Sequence, residues 1–209
     1  MQHRILVANP KGGCGKTTIS VNLAAWFAMQ RDSVLLIDSD VQLSSSDWLN
    51  VRPRSLVTID CVKRNLDSIH DEQEHDVTIV DAPAGCNSQL LLELSDDIDI
   101  ILIPVLPSAI DVRAAFRFFM DITKAGVTDR KGIRLGFVAN RVKKFTRSYK
   151  SLEQFLTQLN MPFVAELRDT QNYNVVMEQG KSIFELPLSR AKKDIDQWQP
   201  LLKWITGRL

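Results

Sequence analysis

Residues 10–18 read Pro-Lys-Gly-Gly-Cys-Gly-Lys-Thr-Thr and follow the apolar run Ile5–Ala8. The three glycines in this stretch let the backbone turn tightly and aim its N–H groups at a bound polyphosphate. The helical pattern that follows, Thr17–Gln30, adds the partial positive charge of a helix N-terminus. We therefore predict a strand, a phosphate-binding loop and a helix in this order.

Short β-branched apolar runs alternate with helical patterns along the rest of the chain, with no repeat or linker between them. This alternation predicts one α/β domain over residues 1–209, with a doubly wound, mostly parallel sheet flanked by helices. The predicted strands are Ile5–Asn9, Ser33–Asp38, Leu56–Cys61, Val77–Asp81, Ile98–Val105, Arg134–Asn140 and Phe163–Ala165. The predicted helices are Thr17–Gln30, Gln89–Ser95, Asp111–Lys124, Ser148–Leu159, Thr170–Gln179 and Ala191–Ile205.

Composition narrows the class of protein. The three cysteines are an odd number without a CxxC pair, so we expect neither a disulfide framework nor a zinc site, and a reducing, cytoplasmic setting. Residues 1–140 hold 14 Lys and Arg against 18 Asp and Glu, whereas residues 141–209 hold 12 against 7. The basic second part is typical of either a polyanion-binding surface or a solvated basic face.

The polar residues of the glycine-rich stretch have the chemistry of an ATP site. Lys16 is placed to reach the β- and γ-phosphates, and the hydroxyl of Thr17 to bind magnesium. Three aspartates then follow apolar strands in order: Asp38, Asp40 and Asp81. In parallel sheets ligands bind outside the carboxyl ends of the strands, so these carboxylates are candidates for the same site. An aspartate after a strand can also simply cap a helix or a turn.

The loop differs from the usual P-loop, which has glycine where this chain has Pro10. Lys11-Gly-Gly-Cys-Gly-Lys16-Thr17 resembles the deviant Walker A motif, KGGxGK[ST], of the ParA/MinD superfamily. That resemblance implies a P-loop NTPase fold of the SIMIBI type. It also implies nucleotide contacts from Lys11, Gly12, Gly13, Cys14, Gly15, Lys16, Thr17 and Thr18. Lys11 would be the signature lysine that crosses a dimer interface to the partner's phosphates.

Two further segments carry the resemblance. Asp38-Ser39-Asp40-Val41-Gln42 is similar to the family's DxDxQ segment, with valine where relatives have proline. It implies that Asp40 positions the attacking water and the magnesium shell while Asp38 braces the loop. Residues 81–85, Asp-Ala-Pro-Ala-Gly, resemble the DxPxG switch, which assigns magnesium to Asp81 and switch roles to Pro83 and Gly85.

Adenine is favoured over guanine because no NKxD or TKxD segment is present. In ParA-like proteins an Asn after the corresponding strand contacts the base. The resemblance therefore assigns Asn140, with Arg141, to adenine. A polar strand end without a ligand is the alternative.

The chain looks most like the small ParF-type branch, which lacks an N-terminal helix-turn-helix domain. The resemblance implies a magnesium-dependent ATPase that forms a homodimer with ATP, associates with nonspecific DNA at the nucleoid or forms polymers, and is stimulated by a ParB-like or ParG-like adaptor. Plasmid or chromosome partition is the first expectation. The residues assigned to DNA phosphates are Arg168, Lys181, Arg190, Lys192 and Lys193.

Other functions remain as alternatives. A MinD-like membrane switch would use the stripe of Ile195, Trp198, Leu202 and Ile205. We expect Pro200 to interrupt that helix and the stripe to pack on the sheet, so membrane association is not expected. An iron–sulfur carrier would need cysteines at spacings that Cys14, Cys61 and Cys86 do not have. A metabolic ligase is a further alternative, but no substrate pocket can be recognised in the sequence. The cargo, including a carboxysome or a chemoreceptor cluster, stays open.

Overall fold

The computed structural model describes residues 3–63, 75–130, 132–158 and 163–207. Seven strands in these ranges form one sheet in the order β3-β2-β4-β1-β5-β6-β7, and every neighbouring pair is parallel. The strands are β1 (His3–Val7), β2 (Val34–Asp38), β3 (Asp60–Lys63), β4 (Val77–Asp81), β5 (Ile100–Val105), β6 (Arg134–Val142) and β7 (Phe163–Arg168). The predicted parallel α/β fold is confirmed.

Helices cover both faces of the sheet. They are α1 (Lys16–Met29), α2 (Ser44–Asn50), α3 (Ser88–Leu94), α4 (Ala109–Lys124), α5 (Arg147–Gln158), α6 (Gln171–Glu178) and α7 (Leu188–Thr206). Alternate residues of each central strand face opposite sides: Ile5 and Val7 pack with α1 and α7, whereas Leu6 packs with α3 and α4. Because both faces are covered, β2, β4 and β5 are buried along their whole length.

The structure differs from the predicted elements at several points, among them β6, which ends at Val142 and not at Asn140. α2 was not predicted, since serines are poor helix formers, but side-chain contacts of Ser46 and burial of Trp48 hold it. β7 continues past Ala165 to Arg168 because buried and half-buried residues alternate along it, as on a sheet edge. β3 begins at Asp60 instead of Leu56.

We expected Pro200 to interrupt the last helix, and this expectation was wrong. It lies inside α7 on an exposed position, while Trp198, Leu201 and Leu202 on the same helix are buried. Proline removes one backbone donor, but the packing of the turns on either side outweighs that loss. The stripe does pack on the sheet. The end of the predicted helix Ser148–Leu159 lies at Leu159, outside the described residues.

Candidate functional site

The candidate site lies at the carboxyl ends of the strands where the strand order of the sheet reverses. β1 and β4 are neighbours, and the chain leaves β1 towards β2 on one side but leaves β4 towards β5 on the other side. Loops diverge at such a point and leave a crevice at the carboxyl ends of the strands. The glycine-rich loop follows β1 there, and the loops after β2, β4 and β5 surround it. We call these four loops the nucleotide edge.

Glycine is required in the phosphate loop for conformational and steric reasons. Gly13 and Gly15 have φ of 75° and 97°, in the left-handed region that side chains rarely adopt. Gly15 precedes α1, and a Cβ at this position would collide with the side-chain amide of Asn140. That amide donates to the carbonyl of Cys14 at 2.9 Å. Asn140 of β6 therefore stabilises the conformation of the loop.

Backbone and side-chain bonds fix the start of the loop. Asn9 donates from Nδ2 to the carbonyl of Pro104 at 2.7 Å and accepts from the amide of Lys11 at 2.9 Å. The amide of Gly85 donates to the carbonyl of Pro10 at 2.8 Å. The DxPxG segment and the phosphate loop are thus joined before any ligand binds.

Lys16 is a buried cation at the start of α1, with only 6% of its surface exposed. Its Nζ donates to the carbonyl of Lys11 at 3.4 Å. Within the described ranges no carboxylate forms an ion pair with it. A buried charge without a counter-ion is costly, so this position favours an anion. A phosphate at the helix N-terminus has the required charge.

Lys11, by contrast, is paired within the chain. Its Nζ lies 2.5 Å from Oδ1 of Asp111, and its side chain keeps 37% exposure against 9% for Asp111. Asp111 lies in the first turn of α4, whose N-cap is Ser108, and its other oxygen is hydrogen-bonded to the Ser108 hydroxyl. Lys11 is therefore held in its own subunit in this structure.

Asp81 ends β4 and is buried to 1% exposure. The hydroxyls of Ser45 and Ser20 donate to its two oxygens at 2.6 and 3.4 Å. Burial raises the pKa of Asp81 to about 6, against the lowering effect of the Ser45 and Thr17 hydroxyls. The charge of Lys16 also lowers this pKa, but together with the hydroxyl donors it offsets the desolvation of Asp81 only in part.

Asp38 and Asp40 shape the loop after β2. Asp38 accepts from both the amide and the hydroxyl of Ser46 at 2.8 Å, and from the amide of Asp40 at 3.2 Å. Asp40 accepts from the amides of Gln42 and Ala84, each at 3.0 Å. Asp38 thus ties its loop to α2, and Asp40 ties it to the DxPxG segment. The assignment of Asp40 to the attacking water stays a prediction.

The residues suit a magnesium ion that also binds phosphates. No group of three or more His, Cys, Asp or Glu side chains in the described part of the chain could hold a metal by itself. Magnesium is usually held by one or two carboxylates together with substrate phosphates and water. Asp81 and the hydroxyl of Thr17, beside the glycine turn, provide that kind of partial shell.

The two residues assigned to adenine differ in exposure. Asn140 is 4% exposed and its amide supports the loop, whereas Arg141 is exposed with φ of 51°. Their contact with adenine stays a prediction.

Two of the residues assigned to DNA contact other side chains of the chain. Arg168 forms an ion pair with the buried Asp194, and Arg190 donates to Asn172 at 2.8 Å. Lys181 is half-buried, while Lys192 and Lys193 are exposed on α7.

Four residues that organise the site were given no role from the sequence: Asn9, Ser45, Ser46 and Asp111. Ser45 and Ser46 come from the unpredicted helix α2. Asp111 had a readable signal, since it stands three residues after Ser108 in the pattern of a helix N-cap.

Comparison with known proteins agrees with this site. A family model described as the CobQ/CobB/MinD/ParA nucleotide binding domain matches residues 5–183. The Halothiobacillus neapolitanus maintenance of carboxysome distribution protein A is 29% identical over 208 residues, covering 95% of this chain and 94% of that protein. The chain belongs to the CobQ/CobB/MinD/ParA nucleotide-binding family.

Solved structures show the same fold. Apo McdA from Cyanothece superposes with a TM-score of 0.77 at 18% identity, covering 97% of this chain and 100% of that one. The septum site-determining protein MinD of Pyrococcus horikoshii, complexed with Mg-ADP, gives a TM-score of 0.75 at 16% identity over 100% and 99% of the two chains.

A cavity of about 790 Å³ lies near the amino ends of β1 and β4, lined among others by Trp26, Asp76 and Lys203, and includes no residue of the nucleotide edge. In the described ranges no helix has the length and apolar character needed to cross a membrane.

Proposed function

We propose that this chain is a dimerising ATPase that binds ATP and magnesium at the loop Lys11–Thr18. The observation that carries the proposal is the buried ammonium of Lys16, which forms no ion pair with a carboxylate of the described residues and lies beside a glycine turn at a helix N-terminus. An anion of high charge is the ligand that such a site stabilises most. Membership of a family of nucleotide-binding domains supports a nucleoside triphosphate as that anion.

Each residue then has a distinct task in hydrolysis. The amides of Gly12–Thr18 hold the phosphates, and Lys16 neutralises charge on the terminal phosphate. Thr17 and Asp81 would hold the magnesium ion, which supplies Lewis-acid stabilisation of phosphate oxygens when bound. Asp40 orients the attacking water, whose oxygen bonds the terminal phosphorus as the bond to ADP breaks.

Lys11 makes the reaction depend on dimerisation. In this structure its ammonium is 2.5 Å from Asp111 of the same chain. We propose that Lys11 exchanges this partner for the terminal phosphate bound by a second subunit. Since one ion contact replaces another, the exchange is favourable only when a triphosphate is present. Loss of the terminal phosphate then loosens the dimer.

Substitution of Lys11 by alanine tests this role. Lys11→Ala should bind ATP with affinity within a few-fold of the wild type, because Lys16 and the loop amides remain. Its hydrolysis rate should fall at least about 100-fold, since a charge-stabilising donor is lost. Binding is measured by calorimetry and turnover by phosphate release.

The matched control is Lys203→Ala, an exposed lysine near the end of α7. It should leave both quantities unchanged. Normal turnover by Lys11→Ala would show that no intersubunit lysine is needed. Absence of any ATP binding by the wild-type protein would remove the ATPase proposal as a whole.

The switch would serve to position a cargo, and plasmid or chromosome partition is the first candidate. The ATP-bound dimer would hold nonspecific DNA through phosphate contacts and so associate with the nucleoid. A ParB-like or ParG-like adaptor on the cargo would stimulate hydrolysis. A gene for a small DNA-binding protein directly downstream, and acceleration of hydrolysis by its purified product, would support this cargo.

A protein compartment is the second candidate cargo. It is favoured by the match over nearly the full length of both chains to a protein named for carboxysome distribution. The test is a fluorescent fusion expressed beside carboxysomes in a host that lacks its own distribution protein. Regular spacing restored by the wild type but not by Lys11→Ala would support this cargo over partition.

A membrane function has less support from the structure. Of the stripe on which it would depend, Trp198, Leu202 and Ile205 are 0%, 3% and 1% exposed, and Ile195 is half-buried. These side chains fill the core under the sheet. Sedimentation of the protein with anionic liposomes and ATP should leave it in the supernatant.

A further inference from the structure

A short segment between α6 and α7 contacts α1 and α2, two of the helices that border the nucleotide edge. It comprises residues Gly180–Glu185, ends in a 3₁₀ turn, and we call it the coupling segment. α7 begins three residues after it and carries Arg190, Lys192 and Lys193. The segment therefore leads along the chain directly into three of the residues assigned to DNA, and it contains a fourth, Lys181.

Arg52, two residues after α2, joins that helix to the coupling segment. Its guanidinium donates to both oxygens of Glu185, at 2.6 and 3.1 Å, and the two side chains are only 5% and 4% exposed. Arg52 also donates to the carbonyl of Gly180 at 3.0 Å. Gly180 has φ of 61°, and a Cβ there would collide with the backbone of Arg52. The contact is close, buried and bidentate, which fixes its geometry.

Trp48 makes a second connection from α2 itself. Its indole N–H donates to the carbonyl of Lys181 at 2.9 Å, and its ring lies 5.1 Å from the guanidinium carbon of Arg52. Trp48 is 2% exposed. A movement of α2 would therefore carry the backbone of Lys181 with it, because a packed interior does not deform freely.

The first turn of α2 holds the carboxylates of the nucleotide site. Ser45 donates to Asp81 at 2.6 Å, and Ser46 donates to Asp38 at 2.8 Å. Helix α2 has seven residues, so its two ends are joined to the two sites by direct contacts. α1 adds a parallel connection: Asn22 donates to the carbonyl of Thr18 and accepts from the amide of Ile183, both at 2.7 Å.

We propose that α2 and the coupling segment transmit the nucleotide state to the basic surface at the start of α7. The inference rests on the proposed function, since it needs ATP and magnesium to alter the contacts of Asp38 and Asp81. When those carboxylates rearrange, Ser45 and Ser46 shift α2, and Arg52 and Trp48 move the coupling segment. Arg52 and Glu185 are positioning residues in this scheme and touch neither nucleotide nor DNA.

Hydrogen exchange of the full chain, with and without a non-hydrolysable ATP analogue and magnesium, tests the coupling directly. In the wild type, exchange should change in residues 11–18, 44–52 and 180–193. In Glu185→Gln and in Trp48→Phe it should change in the first two ranges, while the change in 180–193 falls at least fivefold. The control Lys144→Gln breaks an ion pair with Glu166 outside this route and should behave as the wild type.

A DNA-binding measurement gives the second readout. Glu185→Gln should bind the analogue within twofold of the wild type, while its analogue-dependent retention on duplex DNA falls at least tenfold. Thermal unfolding identifies a variant that has lost its fold. The wild-type exchange data and Trp48→Phe, which keeps the aromatic packing, decide the matter if Glu185→Gln does not fold.

The outcomes separate the two proposals. If residues 11–18 respond to the analogue and 180–193 do not, the coupling is refuted and the ATPase proposal stands. If both variants keep the full response in 180–193, the coupling is also refuted. If residues 11–18 do not respond at all, both proposals fail. A coupled response in a protein that never binds DNA would support the coupling and count against DNA as its target.

Discussion

The nucleotide edge and the C-terminal region, residues 163–207, use their cations in different ways. At the nucleotide edge Lys16 is buried, and no carboxylate in the described part of the chain forms an ion pair with it. In the C-terminal region Arg168 is paired with the buried Asp194, and Arg190 is bonded to Asn172. The first region keeps charge for a ligand, whereas the second uses much of its charge to hold its own packing. Net charge along a sequence therefore overstates the cations that are free to bind a polyanion.

The largest expected effect on stability lies in the C-terminal region. Trp198 is fully buried, its indole N–H donates to Tyr173 at 2.9 Å, and its ring packs edge-on against Phe184. Trp198→Ala should lower the free energy of unfolding by about 3–5 kcal/mol, because it leaves a large cavity in the core. Urea denaturation measures the change.

Leu188, 68% exposed at the start of α7, gives the matched control. Leu188→Ala should change the free energy of unfolding by less than about 0.5 kcal/mol. Equal, small effects of the two substitutions would mean that α7 does not hold the region together. The comparison between a packing region and a ligand region would then lose its basis.

The next effect concerns the nucleotide edge and leaves stability intact. Lys16→Ala should reduce ATP hydrolysis at least about 100-fold, because the buried cation is the charge that faces the phosphates. Its free energy of unfolding without ATP should not fall, since no ion pair is lost and a desolvated charge is removed. Phosphate release and urea denaturation of the same preparation measure both. A clear loss of stability would mean that Lys16 stabilises the fold, as Arg168 does in the C-terminal region.

The sheet and the phosphate loop could be predicted because their determinants are local. Continuous apolar runs such as Val77–Val80 mark strands covered on both faces, and the glycines at 12, 13 and 15 allow the tight turn. The sequence also predicted Asp38 and Asp81 at the carboxyl ends of strands, and the structure pairs them in the register of β2 and β4. Their roles in catalysis do not follow from position alone.

Features that depend on distant contacts could not be predicted. Helix α2 has a serine-rich sequence of low helix propensity, and it exists because Ser46 meets Asp38 and Trp48 is buried. Pro200 in α7 was misjudged for the same reason, since packing of the whole helix outweighed one missing donor. The pairing of Lys11 with Asp111 joins residues 100 positions apart, which no spacing rule reveals.

The smallest expected effect concerns the C-terminal region. It distinguishes cations that stabilise the fold from cations that bind DNA phosphates. Asp194 is fully buried and raises the pKa of the 35%-exposed Arg168 through their hydrogen bond. Arg168→Ala should cost about 1–2 kcal/mol of unfolding free energy, less than a fully buried pair because solvent screens the guanidinium. The salt dependence of its DNA binding should stay unchanged.

Lys192→Ala, on the exposed side of α7, should show the opposite pair of results. Its stability should stay within about 0.5 kcal/mol of the wild type. The slope of log affinity against log salt concentration should fall by about one, as expected for one lost phosphate contact. If instead Arg168→Ala keeps full stability and lowers the slope, its guanidinium serves DNA and the C-terminal region binds as the nucleotide edge does. That result would also mean that Asp194 is stabilised mainly by Asn172, which donates to it at 2.7 Å.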